Sequence, residues 1–136
     1  MKLINDHLYN NSISQIIRNP VSTVKDLDKL AKKLGLNIKY NWIDDYDPNA
    51  KLQILNIDEK HFGTHFVAVY NNEFYMDPLG LPIARDSLNY LQYTTIPIQN
   101  YKYGACGLYC LDFLYHAIRN DIDGFYAQFN MENSII

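Results

Sequence analysis

Apolar residues recur along this chain with two different periods. Val24, Leu27, Ala31 and Leu34 stand three or four apart and predict an amphipathic helix over Val21 to Leu34. Ser22 or Thr23 is placed to cap it, Asp26 lies in its first turn, and Gly35 follows its end. The other side carries Lys25, Lys29, Lys32 and Lys33 with Asp26 and Asp28 interspersed, which reads as a solvated face. Upstream, Ser12 to Arg18 reads as a short helix that stops before Pro20. From Leu36 the period changes to two: Leu36, Ile38, Tyr40 and Trp42 alternate with polar residues and predict an extended segment. Asp44, Asp45, Asp47 and Pro48 then mark a loop, and without a glycine turn and closing glutamate at loop spacing it is not an EF-hand.

Leu52 to Ile57 predicts a strand, joined by the polar stretch Asp58 to Gly63 to a second run from His65 to Tyr70. Asn71-Asn72 separates that run from Glu73 to Asp77, a strong hairpin signal. Asp86 or Ser87 opens a short helix with Leu88 and Leu91 inward, and Tyr93 to Gln99 reads as a further strand that Pro97 confines to an edge or a strand end. Between Ala105 and Ile118 only Asp112 and His116 interrupt an apolar or aromatic series, so this helix is expected to be buried nearly all round. A short aromatic segment, Phe125 to Phe129, follows before the chain is expected to fray. Helix, strands, hairpin, strand and buried helix in that order indicate an α+β domain.

The 136 residues, 48% of them hydrophobic, suffice for one sizeable core, so a single domain over 1–136 is expected. A net charge of -3 gives no overall pull toward nucleic acid. The start of the chain has no signal-peptide h-region, and no stretch is long enough to span a membrane; a soluble intracellular protein is the expectation. The two cysteines, Cys106 and Cys110, are one helical turn apart, with Cβ atoms about 5–6 Å from each other, wider than a relaxed disulfide allows. Free thiols and a reducing compartment fit that spacing.

Cys106 stands between Gly104 and Gly107, where an extended segment gives way to the buried helix. A thiolate at a helix start has backbone N–H groups and the positive end of the macrodipole beside it. A cysteine nucleophile also needs a base, a group that orients the base, and donors for an oxyanion. His116 is about 15 Å along the same helix and is too far to act as base. His7 lies near a terminus and His61 in the polar connection, so His65, at a strand end, is the first choice and His61 the reserve. Asp77 is the candidate orienting acid. A three-residue loop centred on Asn71 would set Asp77 opposite His65, whereas a two-residue Asn-Asn turn would pair Asp77 with Phe66. Gln99, seven residues before Cys106, can supply one oxyanion donor and the Cys106 N–H a second.

In this order, His65-Phe66, Asp77-Pro78-Leu79-Gly80, Gln99 and Gly104-Ala105-Cys106-Gly107-Leu108-Tyr109-Cys110 resemble the adenain-like cysteine proteases. That family includes the adenovirus maturation protease and relatives that process SUMO-like modifiers. The Ala-Cys-Gly-Leu-aromatic-Cys run is the specific part, and the resemblance covers roughly Leu52 to Ile118. It implies a papain-like fold in which the central buried helix carries the cysteine and packs on a small, mainly antiparallel sheet. It further implies a Cys106, His65, Asp77, Gln99 catalytic set without metal or other cofactor. The implied activity is an endopeptidase that matures viral capsid or other structural precursors at bonds with Gly or small residues. The implied setting is an infected cell's cytoplasm or virus factory, and the virion, with the protein a monomer.

Small proteases of this type are similar to those of virophages and polinton-type elements. An activating peptide and DNA are further partner classes that the family carries; the Lys25 to Lys33 face is the one candidate for DNA, and with no cysteine upstream of Cys106 covalent peptide activation is excluded. This chain departs from the family in having Phe66 where Trp is usual, in a shorter segment from the histidine to the acid, and in total length. Two other readings differ in class: a protease for ubiquitin-like conjugates, and a non-catalytic binding module in which Cys106 only packs.

Overall fold

The computed structural model describes residues 24–59, 63–98 and 106–135. The Ser12 to Arg18 helix, the capping Ser22 and Thr23, His7, His61, Gln99 and the Gly104-Ala105 approach to Cys106 lie outside the described residues. The remainder forms an α+β arrangement of three helices and a five-stranded mixed sheet. Helix α1 spans Val24–Lys33, β1 Lys39–Trp42, β2 Leu52–Glu59, β3 Gly63–Tyr70, β4 Phe74–Met76, β5 Gln92–Tyr93, α2 Cys106–Ala117 and α3 Ile122–Ile135. Short 3₁₀ turns at Ile43–Asp45 and Asp86–Leu88 interrupt the connections.

Helix α1 forms where the apolar period predicts it, with Leu27, Leu30 and Ala31 buried and the four lysines exposed. Gly35 ends it at φ +73, while the Leu36 N–H returns to the Ala31 carbonyl at 2.9 Å. Asn120 does the same for α2 at φ +57, with the Asp121 N–H on the His116 carbonyl at 3.0 Å.

The strands lie in chain order across the sheet. The β2–β3 and β3–β4 pairs are antiparallel, but β1–β2 and β4–β5 are parallel, so the expected mainly antiparallel sheet is a mixed one. The physical reason for the β1–β2 departure is the connection 43–51. It returns to the start of β1 across one sheet face, burying Ile43 and packing Tyr46 there. Among the described residues of the expected strand Tyr93 to Gln99, only Tyr93 joins the ladder, paired with Tyr75, and residues 94–98 are not strand.

Alternation along the strands divides the core. Leu52, Ile54, Phe66, Ala68 and Met76 face the helices, where they meet Leu27 and Leu30 of α1, Leu111 and Leu114 of α2, and Phe125 of α3. Leu55, Ile57, Val67, Val69 and Tyr75 face the other way, against Ile43, Leu88 and Leu91. Helix α2 is buried nearly all round, as its composition predicts. The segment after it does not fray at Phe129. It continues as helix to Ile135, because Phe125 stacks edge-on against Phe113 at 5.4 Å and Phe129 meets the Tyr109 ring at a tilt, at 5.9 Å. Among the described residues no helix is long and apolar enough to cross a membrane.

Candidate active site

The β3–β4 hairpin sets the site's geometry. Asn71 and Asn72 both take left-handed backbone, at φ +55 and +51, and the Glu73 N–H closes on the Tyr70 carbonyl at 3.0 Å, a type I′ turn. Glu73 is then an additional residue before the ladder resumes, so Tyr70 pairs with Phe74, Val69 with Tyr75 and Ala68 with Met76. Continued one step, this register sets Asp77 opposite Val67. Neither expected pairing, with His65 or with Phe66, occurs. The observed register differs by two residues from the first of them, and a shift of two preserves the face. Asp77 is therefore diagonal to His65 on one side of the sheet, within reach of an imidazole.

His65 Nε2 and Asp77 Oδ1 lie 2.7 Å apart. The same carboxylate oxygen accepts the Leu79 N–H at 2.8 Å, and Asp77 is 5% exposed. Since an ionised carboxylate only accepts, the imidazole proton lies on Nε2, and Nδ1 is the nitrogen left to exchange a proton. Burial pulls the His65 pKa down, yet hydrogen bonds and charge from Asp77 and Cys106 outweigh it and raise the value from 6.5 to about 9.

Cys106 is the first residue of α2 and 4% exposed. The thiol interacts with the His65 ring and also accepts a backbone hydrogen bond: the Phe66 N–H points at Sγ over 3.4 Å. The reason for this contact lies in the sheet. Even-numbered residues of β3 turn their N–H groups toward β4, because the odd ones serve β2, as the Asn71 N–H on the Lys51 carbonyl at 2.7 Å shows. Strand β4 stops at Met76, and Pro78 stands where a partner for Phe66 would come. The vacated ladder position is filled by sulfur.

Asp77 is held by a turn of its own. The Gly80 N–H bonds the Asp77 carbonyl at 2.9 Å, and Gly80 adopts φ +70. A Cβ on Gly80 would fall 2.6 Å from the Pro97 nitrogen, so only glycine permits the close passage of residues 96–98. There the Ile98 N–H meets the Pro78 carbonyl at 2.9 Å, which brings the residue before Gln99 beside the Asp77 turn.

His65, Asp77 and Cys106, proposed from their order in the chain, are thus brought together. Sequence reasoning did not find the Phe66 amide or the turn that braces Asp77. Pro78, which ends a ladder, and Gly80 were the signals for them. His116 is not part of this group; its ring lies 3.2 Å from Asp112 and 3.3 Å from Asp121. Cys110 is fully buried, and desolvation pushes its thiol well above its ordinary range. Both cysteines are free. Among the described residues no cluster of His, Cys, Asp and Glu is arranged to hold a metal ion. Comparison with known protein families, with curated proteins and with solved structures returns no match for this chain.

Proposed function

We propose that the chain is a cysteine endopeptidase of the adenain-like, papain-fold type that processes viral capsid or other structural precursors. The observation that carries this reading is the 2.7 Å contact of His65 Nε2 with buried Asp77, on an imidazole that also interacts with Cys106 at the start of α2. A histidine that titrates at about 9 is an imidazolium at neutral pH, the partner a thiolate nucleophile requires. The Phe66 N–H toward Sγ supports the same charge.

In the reaction the Cys106 sulfur attacks the scissile carbonyl carbon, and its electrons move onto the carbonyl oxygen. That oxyanion is met by the Cys106 N–H and, by resemblance, by Gln99. As the C–N bond breaks, His65 passes the Nδ1 proton to the departing amine and leaves a thioester. Water then attacks the thioester with His65 as base, releasing the acid and restoring the thiol. Asp77 holds the ring orientation throughout and stabilises the imidazolium.

Two experiments test the reading. Cys106→Ala is expected to abolish processing of the cognate precursor, and continued processing would refute the assignment. Mild iodoacetamide treatment of the native protein, followed by mass spectrometry, is expected to label Cys106 well before fully buried Cys110. Labelling of Cys106 no faster than an ordinary free cysteine would favour a non-catalytic binding module.

A further inference from the structure

The Cys106 sulfur is met by a backbone amide from another element. The Phe66 N–H of β3 points at Sγ over 3.4 Å, from a position 40 residues earlier in the chain. Phe66 lies beyond the last pair of the β3–β4 ladder, Ala68 with Met76, and its N–H faces the side on which β4 has already stopped. Among the described residues its partner is sulfur and no carbonyl. The Phe66 nitrogen can therefore give up its proton without breaking a hydrogen bond of the sheet, a freedom that the paired amides of a ladder lack.

The surroundings also select what an oxidised sulfur can do next. The His65 imidazolium and the start of α2 both favour a thiolate at Cys106, and the thiolate is the form that peroxides oxidise. The 4% of Cys106 that remains exposed suits an oxidant scarcely larger than water. A sulfenic acid formed there escapes further oxidation only if a second nucleophile captures it. The chain's other cysteine, Cys110, is fully buried and one helical turn away, with its Cβ about 5–6 Å off, wider than a relaxed disulfide allows. Burial also holds Cys110 as an unreactive thiol. The Phe66 nitrogen, in contrast, is already at Sγ.

We propose that hydrogen peroxide converts Cys106 to a cyclic sulfenamide with the Phe66 backbone nitrogen, a reversible modification that switches the site off and shields its nucleophile. It regulates the site of the endopeptidase reading and rests on that reading, because it requires an activated Cys106 thiolate. In the first step the thiolate sulfur attacks one peroxide oxygen, the O–O bond breaks and hydroxide leaves. Sulfur is oxidised by two electrons to the sulfenic acid, and peroxide is reduced. The Phe66 nitrogen then attacks sulfur, and the S–N bond forms as the S–O bond breaks. His65 gives a proton to the departing hydroxyl, which leaves as water, and takes up the amide proton in exchange. A thiol reductant reverses the change: it attacks Sγ, the S–N bond breaks and the nitrogen is reprotonated. A second thiol then releases Cys106 from the mixed disulfide.

The test uses the full chain, treated with a few equivalents of hydrogen peroxide in the absence of thiol and then digested with trypsin. Cleavage after Lys60, Arg85, Lys102 and Arg119 leaves Phe66 in peptide 61–85 and both cysteines in peptide 103–119. The sulfenamide is expected to join these two peptides, at a mass about 2 Da below their sum, and untreated protein to give them separately. Dithiothreitol is expected to separate them again and to restore iodoacetamide labelling of Cys106. The same mass loss confined to peptide 103–119 is a Cys106–Cys110 disulfide and overturns the proposal. So does a Cys106 that remains a sulfenic acid, joins a second copy of the chain, or gains two or three oxygens that dithiothreitol does not remove. A Cys106 that resists peroxide while iodoacetamide labels it rapidly overturns the proposal as well, and the protease reading survives all of these outcomes. A Cys106 that resists peroxide and labels no faster than an ordinary free cysteine overturns the protease reading and takes the proposal with it.

Discussion

Replacing Asp77 by asparagine isolates one property of the site, its negative charge. The carboxamide retains an oxygen for the Leu79 N–H, which lies 2.8 Å from Oδ1, so the turn that braces position 77 is kept. The imidazolium of His65 loses its counter-charge at 2.7 Å. In the wild-type protein burial depresses the His65 pKa, and only Asp77 and Cys106 raise it, to about 9 against an ordinary 6.5. Without the Asp77 charge burial is opposed by Cys106 alone, and the midpoint is expected to fall well below the wild-type value. The protonated fraction at pH 7, about 99% in the wild type, falls with it. The same shift is a stability term. A pKa higher in the folded than in the unfolded chain stabilises the fold fully below pH 6.5, and that contribution disappears as pH rises through 9. At about 1.4 kcal/mol per unit it amounts to about 3 kcal/mol in full, most of it still present at pH 7.

Two measurements read these quantities. An NMR titration of the His65 ring in ¹³C-labelled protein gives the midpoint directly. Urea denaturation from pH 6 to 10 gives the stability: the wild type is expected to weaken between 6.5 and 9, and Asp77→Asn to be weaker and nearly flat over that window. A wild-type His65 midpoint near 6.5, or the same midpoint in both proteins, would refute the electrostatic account of the site.

Two further predictions concern the turns that hold the site. Gly80→Ala and Gly35→Ala both force alanine into left-handed backbone, but a Cβ at Gly80 meets Pro97 backbone at 2.6 Å while at Gly35 nothing lies within 4 Å. Urea denaturation is expected to show a loss of about 1 kcal/mol for Gly35→Ala and about 3 kcal/mol for Gly80→Ala; equal losses would contradict the close-passage argument. At the hairpin, Asn71→Gly is expected to be neutral or stabilising by a few tenths of a kcal/mol. Asn72→Gly is expected to lose about 1–2 kcal/mol, because the Asn72 carboxamide oxygen accepts the Tyr46 and Tyr90 hydroxyls at 2.7 and 2.6 Å.

Elements whose own residues decide them were legible before folding. The 3.6-residue period with Gly35 defines α1, the unbroken apolar run defines α2, and the Asn pair defines the hairpin. The His65, Asp77 and Cys106 grouping was legible for the same reason, since a strand end, the far end of its hairpin partner and a helix start are positions a sequence marks. What escaped depends on contacts between distant segments. Helix α3 has a weak apolar pattern and is fixed by the docking of Phe125 and Phe129 on α2. The parallel β1–β2 pair depends on where Ile43 finds its core, not on any signal in the 43–51 connection. The register of Asp77 turned on Glu73, a residue that fits a strand or a turn equally. Its carbonyl is drawn out of the hairpin by the Gln92 N–H of β5 at 2.8 Å, a partner nineteen positions away in the chain.

The Phe66 amide gives the site an internal reporter. Its proton points to sulfur and is detectable by NMR without any substrate. Because the same N–H belongs to a central strand, its exchange with solvent measures how often the nucleophile and the sheet separate. Alkylating Cys106 changes what that proton sees at a single atom. The signal therefore reports occupancy of the thiol during turnover or inhibition, even when the natural substrate has yet to be found.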